Sequence, residues 1–104
     1  MTESNGKVAL ITGADRGIGF ETAKELGAQG YTVLIGSRNL ERGQNAVDKL
    51  KAMDITADTL QIDVTQRYTI QNAAGQINKM YHKLDVLINN AGITQPVKTL
   101  DIQR

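Results

Sequence analysis

The sequence predicts an α/β fold, a three-layer doubly wound parallel sheet, and three observations predict it. Short apolar, β-branched runs alternate with longer segments whose small and apolar residues recur at helical spacing. Two of the short runs are apolar at consecutive positions, as strands covered on both faces must be. A glycine cluster, TGADRGIG at residues 12–19, falls between the first short run and the first helical segment. The order reads β-α-β-α-β-α-β. Right-handed crossovers turn that order into one parallel sheet with helices on its faces.

Each element can be justified in turn. Val8-Ala9-Leu10-Ile11 is the first strand. Gly19, Thr22, Ala23 and Leu26 then follow the i, i+3, i+4, i+7 pattern of one helix face. Thr32-Val33-Leu34-Ile35 is the second strand, and Gly43, Ala46, Val47 and Leu50 give the second helix face. Leu60-Gln61-Ile62 is the third strand, followed by a helix with Ile70, Ala73, Ala74 and Ile77 on its buried face. Val86-Leu87-Ile88 is the fourth strand. Small residues on the helix faces let each helix lie close to the sheet.

Composition narrows the function. At 104 residues, 40% hydrophobic and 22% charged, the chain fits one globular domain. A net charge of +1 gives no field that would attract nucleic acid or an acidic membrane surface. The absence of cysteine rules out disulfides and thiolate metal sites, and no metal site is expected. The N-terminus MTESNGK has no apolar signal core behind it, and no run reaches membrane-spanning length. The expected location is the cytoplasm.

The glycine loop carries the chemistry. A turn between a first parallel strand and the next helix lies at the carboxyl edge of the sheet. There the free N–H groups and partial positive charge of the helix attract phosphate. Gly13 permits the tight turn, and Gly17 lets a pyrophosphate approach the backbone without meeting a Cβ. Gly19 falls on the sheet-facing side of the helix. The spacing is GxxxGxG. Arg38 ends the second strand, where an acid would mark NAD and an arginine can pair with a 2′-phosphate. Arg16 in the glycine loop can reach the same phosphate, so the pair favours NADP. Asn39 has a second reading as a helix N-cap. Asp63 reads either as an acceptor for an adenine amino group or as a turn acid before a helix starting near Thr65. NNAG at 89–92 reads as the floor of a crevice open to a ribose, or as a turn that opens a helix.

TGADRGIG, the DV at 63–64 and NNAG together resemble the short-chain dehydrogenase/reductase family, over the span from Lys7 to about Thr94. RGIGFE and ERGQNAVDKL resemble its carbonyl-reductase-like, NADPH-dependent branch. The resemblance implies a Rossmann-like domain and reversible hydride transfer between a nicotinamide and a carbonyl or alcohol substrate. It places Gly13, Arg16, Gly17, Ile18 and Gly19 along the pyrophosphate and 2′-phosphate. It puts Ser37, Arg38 and Asn39 around the adenosine ribose phosphate. Asp63 and Val64 flank adenine, and Asn90, Ala91 and Gly92 lie near the ribose toward the nicotinamide.

One family feature is missing. The family's catalytic tyrosine is followed four residues later by lysine, both beyond NNAG. Tyr31, Tyr68 and Tyr81 are followed at that distance by Ile35, Asn72 and Asp85. No catalytic residue is therefore assigned. Residues 1–104 are expected to be a single, incomplete cofactor-binding domain of a reductase, itself a monomer or homo-oligomer. TLDIQR stops where a further helix would begin, which favours this over a complete non-catalytic binding or interaction module. The resemblance gives a strand order 3-2-1-4. The edge of Val86–Ile88 is then expected to stand unpaired and the isolated chain to self-associate.

Overall fold

The computed structural model describes residues 4–90 and the backbone of Ile102–Gln103. Strand β1 (Val8–Thr12) has all five residues buried. Alternate side chains of a strand point to opposite faces, and both faces of β1 are covered. Ala9 and Ile11 enter one core with Val33 and Ile35, against Ala23, Ala46, Val47 and Leu50 from two helices. Val8 and Leu10 enter a second core with Leu34, Leu60 and Ile62, against Ala73 and Ile77 from a third helix. The three layers follow from this division.

The elements come in the expected order. After β1 stand α1 (Gly17–Ala28), β2 (Thr32–Ser37), α2 (Leu40–Lys51), β3 (Ala57–Gln61), α3 (Arg67–Tyr81) and β4 (Val86–Ile88). A two-residue strand β5 (Ile102–Gln103) completes the sheet, whose order is β3-β2-β1-β4-β5. The first four strands are parallel. Val8 sits opposite Thr32, Ala9 opposite Val86 and Val33 opposite Ala57. β5 runs antiparallel to β4, with Leu87 opposite Gln103 and Ile88 opposite Ile102. The outer edge of β4, expected to be open, is therefore paired at these two positions. The hydrogen-bonding groups of a buried strand leave no cheap alternative to such pairing.

Two boundaries differ from expectation. The third strand begins at Ala57, not Leu60, and ends at Gln61. It lies at the sheet edge, where a strand tolerates polar residues such as Asp58 and Gln61, so its apolar signal is thin. Ile62 lies just past the strand, still buried, and its N–H donates to Ser37 O at 2.9 Å. The buried face of α3 is Thr69, Ala73 and Ile77, turned away from the expected Ile70 and Ala74. Ile70 is 43% exposed. Together with Leu10, Ile62, Ala73, Leu84 and Leu87 it borders an apolar groove of about 400 Å³ beside α3.

The amino end of the sheet is fixed by Asp85. Its Oδ2 accepts the Val8 N–H at 2.7 Å and lies 3.1 Å from Lys83 Nζ. The Val8 N–H, followed by Lys83, holds the Asp85 carboxyl below its ordinary 3.8. Among the described residues, no helix is long and apolar enough to cross a membrane.

Candidate functional site

At the other end of the sheet, β1 passes into the glycine loop. Gly13 has φ +64° and Gly17 φ +66°, the left-handed region where a side chain is strained. The Ala14 N–H donates to Gly36 O at 3.1 Å, which ties the loop to β2. Arg16 is the N-cap of α1. It supplies no side-chain cap, and the first turn contains no acid. The first-turn N–H groups thus keep their partial positive charge for an anion. A Cβ on Gly17 would meet nothing within 4 Å, so this backbone faces open space. A Cβ on Gly19 would fall 2.6 Å from Gly13 O and 2.7 Å from Asn90 Nδ2. Gly19 therefore serves the close seating of helix on loop.

The β4 end joins the same edge. Thr12 Oγ1 donates to Asn89 Oδ1 at 3.1 Å and accepts the Asn90 N–H at 2.9 Å. Asn90 Nδ2 donates to Gly13 O at 3.2 Å. These bonds lock the glycine loop to the strand beside it.

Besides Gly19, seated against the loop, the expected site residues fall into four groups. Gly13, Arg16, Gly17, Arg38, Asp63, Val64 and Asn90 border one cleft of about 440 Å³. Ile18 stands 73% exposed on the first turn of α1. Ser37 and Asn39 are engaged elsewhere. Ser37 is 1% exposed, and its hydroxyl donates to Asn39 O at 2.8 Å. Asn39 is the N-cap of α2, its Oδ1 accepting the Arg42 N–H at 2.9 Å. Ala91 and Gly92 lie outside the described residues.

Asp63 combines both of its readings. Its Oδ1 accepts from the Thr65 hydroxyl at 2.6 Å and the Thr65 N–H at 3.0 Å, an Asx-type turn. It also borders the cleft. The two bonds from Thr65, with a smaller contribution from Arg38, hold its carboxyl below the ordinary value. The helix itself starts at Arg67, two residues later than expected.

Four residues of the cleft were not read from the sequence as site residues: Asp15, Arg42, Ile62 and Thr65. Arg42 Nε donates to Asp15 Oδ2 at 3.1 Å, across 27 residues of chain. The available signal was position, since Arg42 falls in the first turn of the helix capped by Asn39 and so stands at the same edge of the sheet as Arg38. The cleft thus gathers three guanidinium groups beside an uncapped helix N-terminus. That arrangement suits a multiply charged anion.

Comparison with known proteins agrees with this geometry. The family model described as short chain dehydrogenase matches residues 7–104. Short-chain dehydrogenase/reductase 1 of Saponaria officinalis is 41% identical over 91 residues, covering 85% of this chain and 30% of that protein. An NADPH carbonyl reductase of Mus musculus is also 41% identical over 91 residues, covering 86% of this chain and 33% of its own length. A metagenomic short-chain oxidoreductase solved in complex with NADP superposes with a TM-score of 0.81 at 32% identity. That match covers 89% of this chain and 42% of the solved one. The chain spans about a third of the length of the curated relatives it matches.

Proposed function

Since this chain belongs to the short-chain dehydrogenase family, we propose that it supplies the dinucleotide-binding part of a cytoplasmic, NADPH-dependent oxidoreductase. Its small-molecule substrate is a carbonyl compound or the corresponding alcohol. The observation that carries the cofactor reading is the convergence of Arg16, Arg38 and Arg42 on one cleft, with no acid at the end of β2. An acid there would bind free ribose hydroxyls, whereas guanidinium groups pair with a 2′-phosphate. The relative named for NADPH and the neighbour solved with NADP support the same choice.

In this reading each residue has a task. The open backbone at Gly17 and the first turn of α1 receive the pyrophosphate, while Gly13 and Gly19 hold the loop in shape. Arg38 and Arg16 neutralise the 2′-phosphate. Asp63, whose Oδ1 is taken by Thr65, offers its other oxygen to the adenine amino group, with Val64 against the ring. Asn90, Ala91 and Gly92 border the ribose toward the nicotinamide. The bound cofactor supplies the hydride. No tyrosine in these 104 residues has lysine four positions on, so the proton step on the substrate oxygen belongs to another part of the enzyme.

The test is cofactor titration of the full-length protein by calorimetry. NADPH should bind more tightly than NADH, and Arg38→Asp should erase or reverse the preference. A charge-assisted phosphate contact corresponds to roughly 1.5–3 kcal/mol. Equal affinities for the two nucleotides in the unmutated protein would refute the assignment.

A further inference from the structure

Asp15 poses a problem for a phosphate cleft. Its side chain is 11% exposed, and it borders the same cleft as Arg16 and Arg38. A carboxylate there should repel a phosphate. Its one ion-pair partner among the described residues is Arg42, whose Nε lies 3.1 Å from Oδ2. Arg42 is 49% exposed, a long side chain free to sample solvent if nothing held it. Asn39 Oδ1 accepts its backbone N–H at 2.9 Å and fixes the main chain, and Asp15, accepting from Nε, is what holds the guanidinium. The bond from Nε leaves the terminal nitrogens as further donors, in the planar fork that suits a phosphate.

We propose that Asp15 is a positioning residue that sets selectivity for the 2′-phosphate by holding the Arg42 guanidinium oriented into the cleft. This rests on the reading of the cleft as an NADPH site. Pairing neutralises the Asp15 charge, and the ordering of Arg42 is accomplished before the nucleotide arrives, so less is lost on binding. Removing the carboxylate frees Arg42 and lowers the selectivity although the cleft becomes more positive. Simple electrostatics predicts the opposite sign.

The experiment titrates NADPH and NADH into full-length protein carrying Asp15→Asn, Arg42→Ala, both changes together, or Arg42→Lys. Asp15→Asn should lower the NADPH-to-NADH preference about tenfold, the scale of one charge-assisted contact. NADH affinity should stay within about twofold, which also reports a folded site. Arg42→Lys keeps the charge but has no Nε–H, and should lose preference to about the same degree. In the Arg42→Ala background, Asp15→Asn should cause no further loss. A preference that Asp15→Asn leaves intact or raises overturns the proposal, as does an equal loss in the Arg42→Ala background. An unmutated protein that binds NADH as well as NADPH overturns the cofactor reading, and this inference with it.

Discussion

A side chain at position 17 would meet two costs at once. The backbone there lies at φ +66°, and the space a Cβ would take opens on the cleft. Gly17→Ala should therefore destabilise the fold by about 1–2 kcal/mol through backbone strain alone. It should also weaken NADPH binding by more than that strain explains, since in the proposed function the methyl would enter the pyrophosphate path. Denaturant melts and calorimetry on the same variant separate the two effects, and unchanged NADPH affinity would show that the loop does not cradle phosphate. Asp85 makes a different prediction, in pH. Its carboxyl is depressed in the folded state, so its contribution is present above the unfolded value of 3.8 and lost as pH falls through the lower folded value. Asp85→Asn should lower Tm at neutral pH, and the gap from the unmutated protein should close in acid. At this scale the sequence showed which residues line the loop, because glycine and arginine declare their roles by type. It did not show that Ser37 turns inward or that Arg42 leans on Asp15, since those outcomes depend on hydrogen bonds between separate elements.

The helices were legible where the pattern was strong. The α2 face of Gly43, Ala46, Val47 and Leu50 is buried as expected. On α3 the apolar residues spread over too wide an arc for sequence to choose between Thr69 and Ile70. Packing made the choice, and Thr69 gained hydrogen bonds by it: its hydroxyl accepts the Asp63 N–H at 2.9 Å and donates to Gln66 O at 2.8 Å. β3 was the hardest strand to place, because an edge strand carries less of the continuous apolar run that marks a covered one. Two substitutions test the helices. Gly75 lies inside α3, has no positive φ, and a Cβ there meets nothing within 4 Å. Gly75→Ala should stabilise the protein by about 1 kcal/mol. Asn39→Ala removes the cap of α2 and should cost about 1 kcal/mol. Its NADPH affinity should fall as well, because the same bond fixes the backbone of Arg42. Chemical denaturation curves read both stability changes.

For the molecule as a whole, the two ends of the sheet have different duties. The carboxyl end gathers the cleft, while the amino end is held by Asp85. Tyr81 and His82 lie at the far end of α3 from the cleft. Burial, with Asp58 adding, pushes the Tyr81 hydroxyl above its ordinary 10.0, the wrong direction for a catalytic acid–base at neutral pH. Residues 1–104 alone should show no NADPH-dependent carbonyl reduction above background. Sustained turnover abolished by mutating one of the chain's own residues would refute this. The open groove beside α3 predicts that the isolated 104-residue chain self-associates. Light scattering should give a mass that rises with concentration, whereas a constant monomer mass would refute it. The sheet order has one more consequence, for the ribosome. β1 is made first, yet one of its two neighbours is β4, and the Val8–Asp85 bond spans 77 residues. At about 5–20 residues per second, the central strand waits roughly 4–15 s for that neighbour to be synthesised. During that interval the nascent chain carries an unzipped seam through the middle of its future sheet, a landing place for a chaperone that arrives in time.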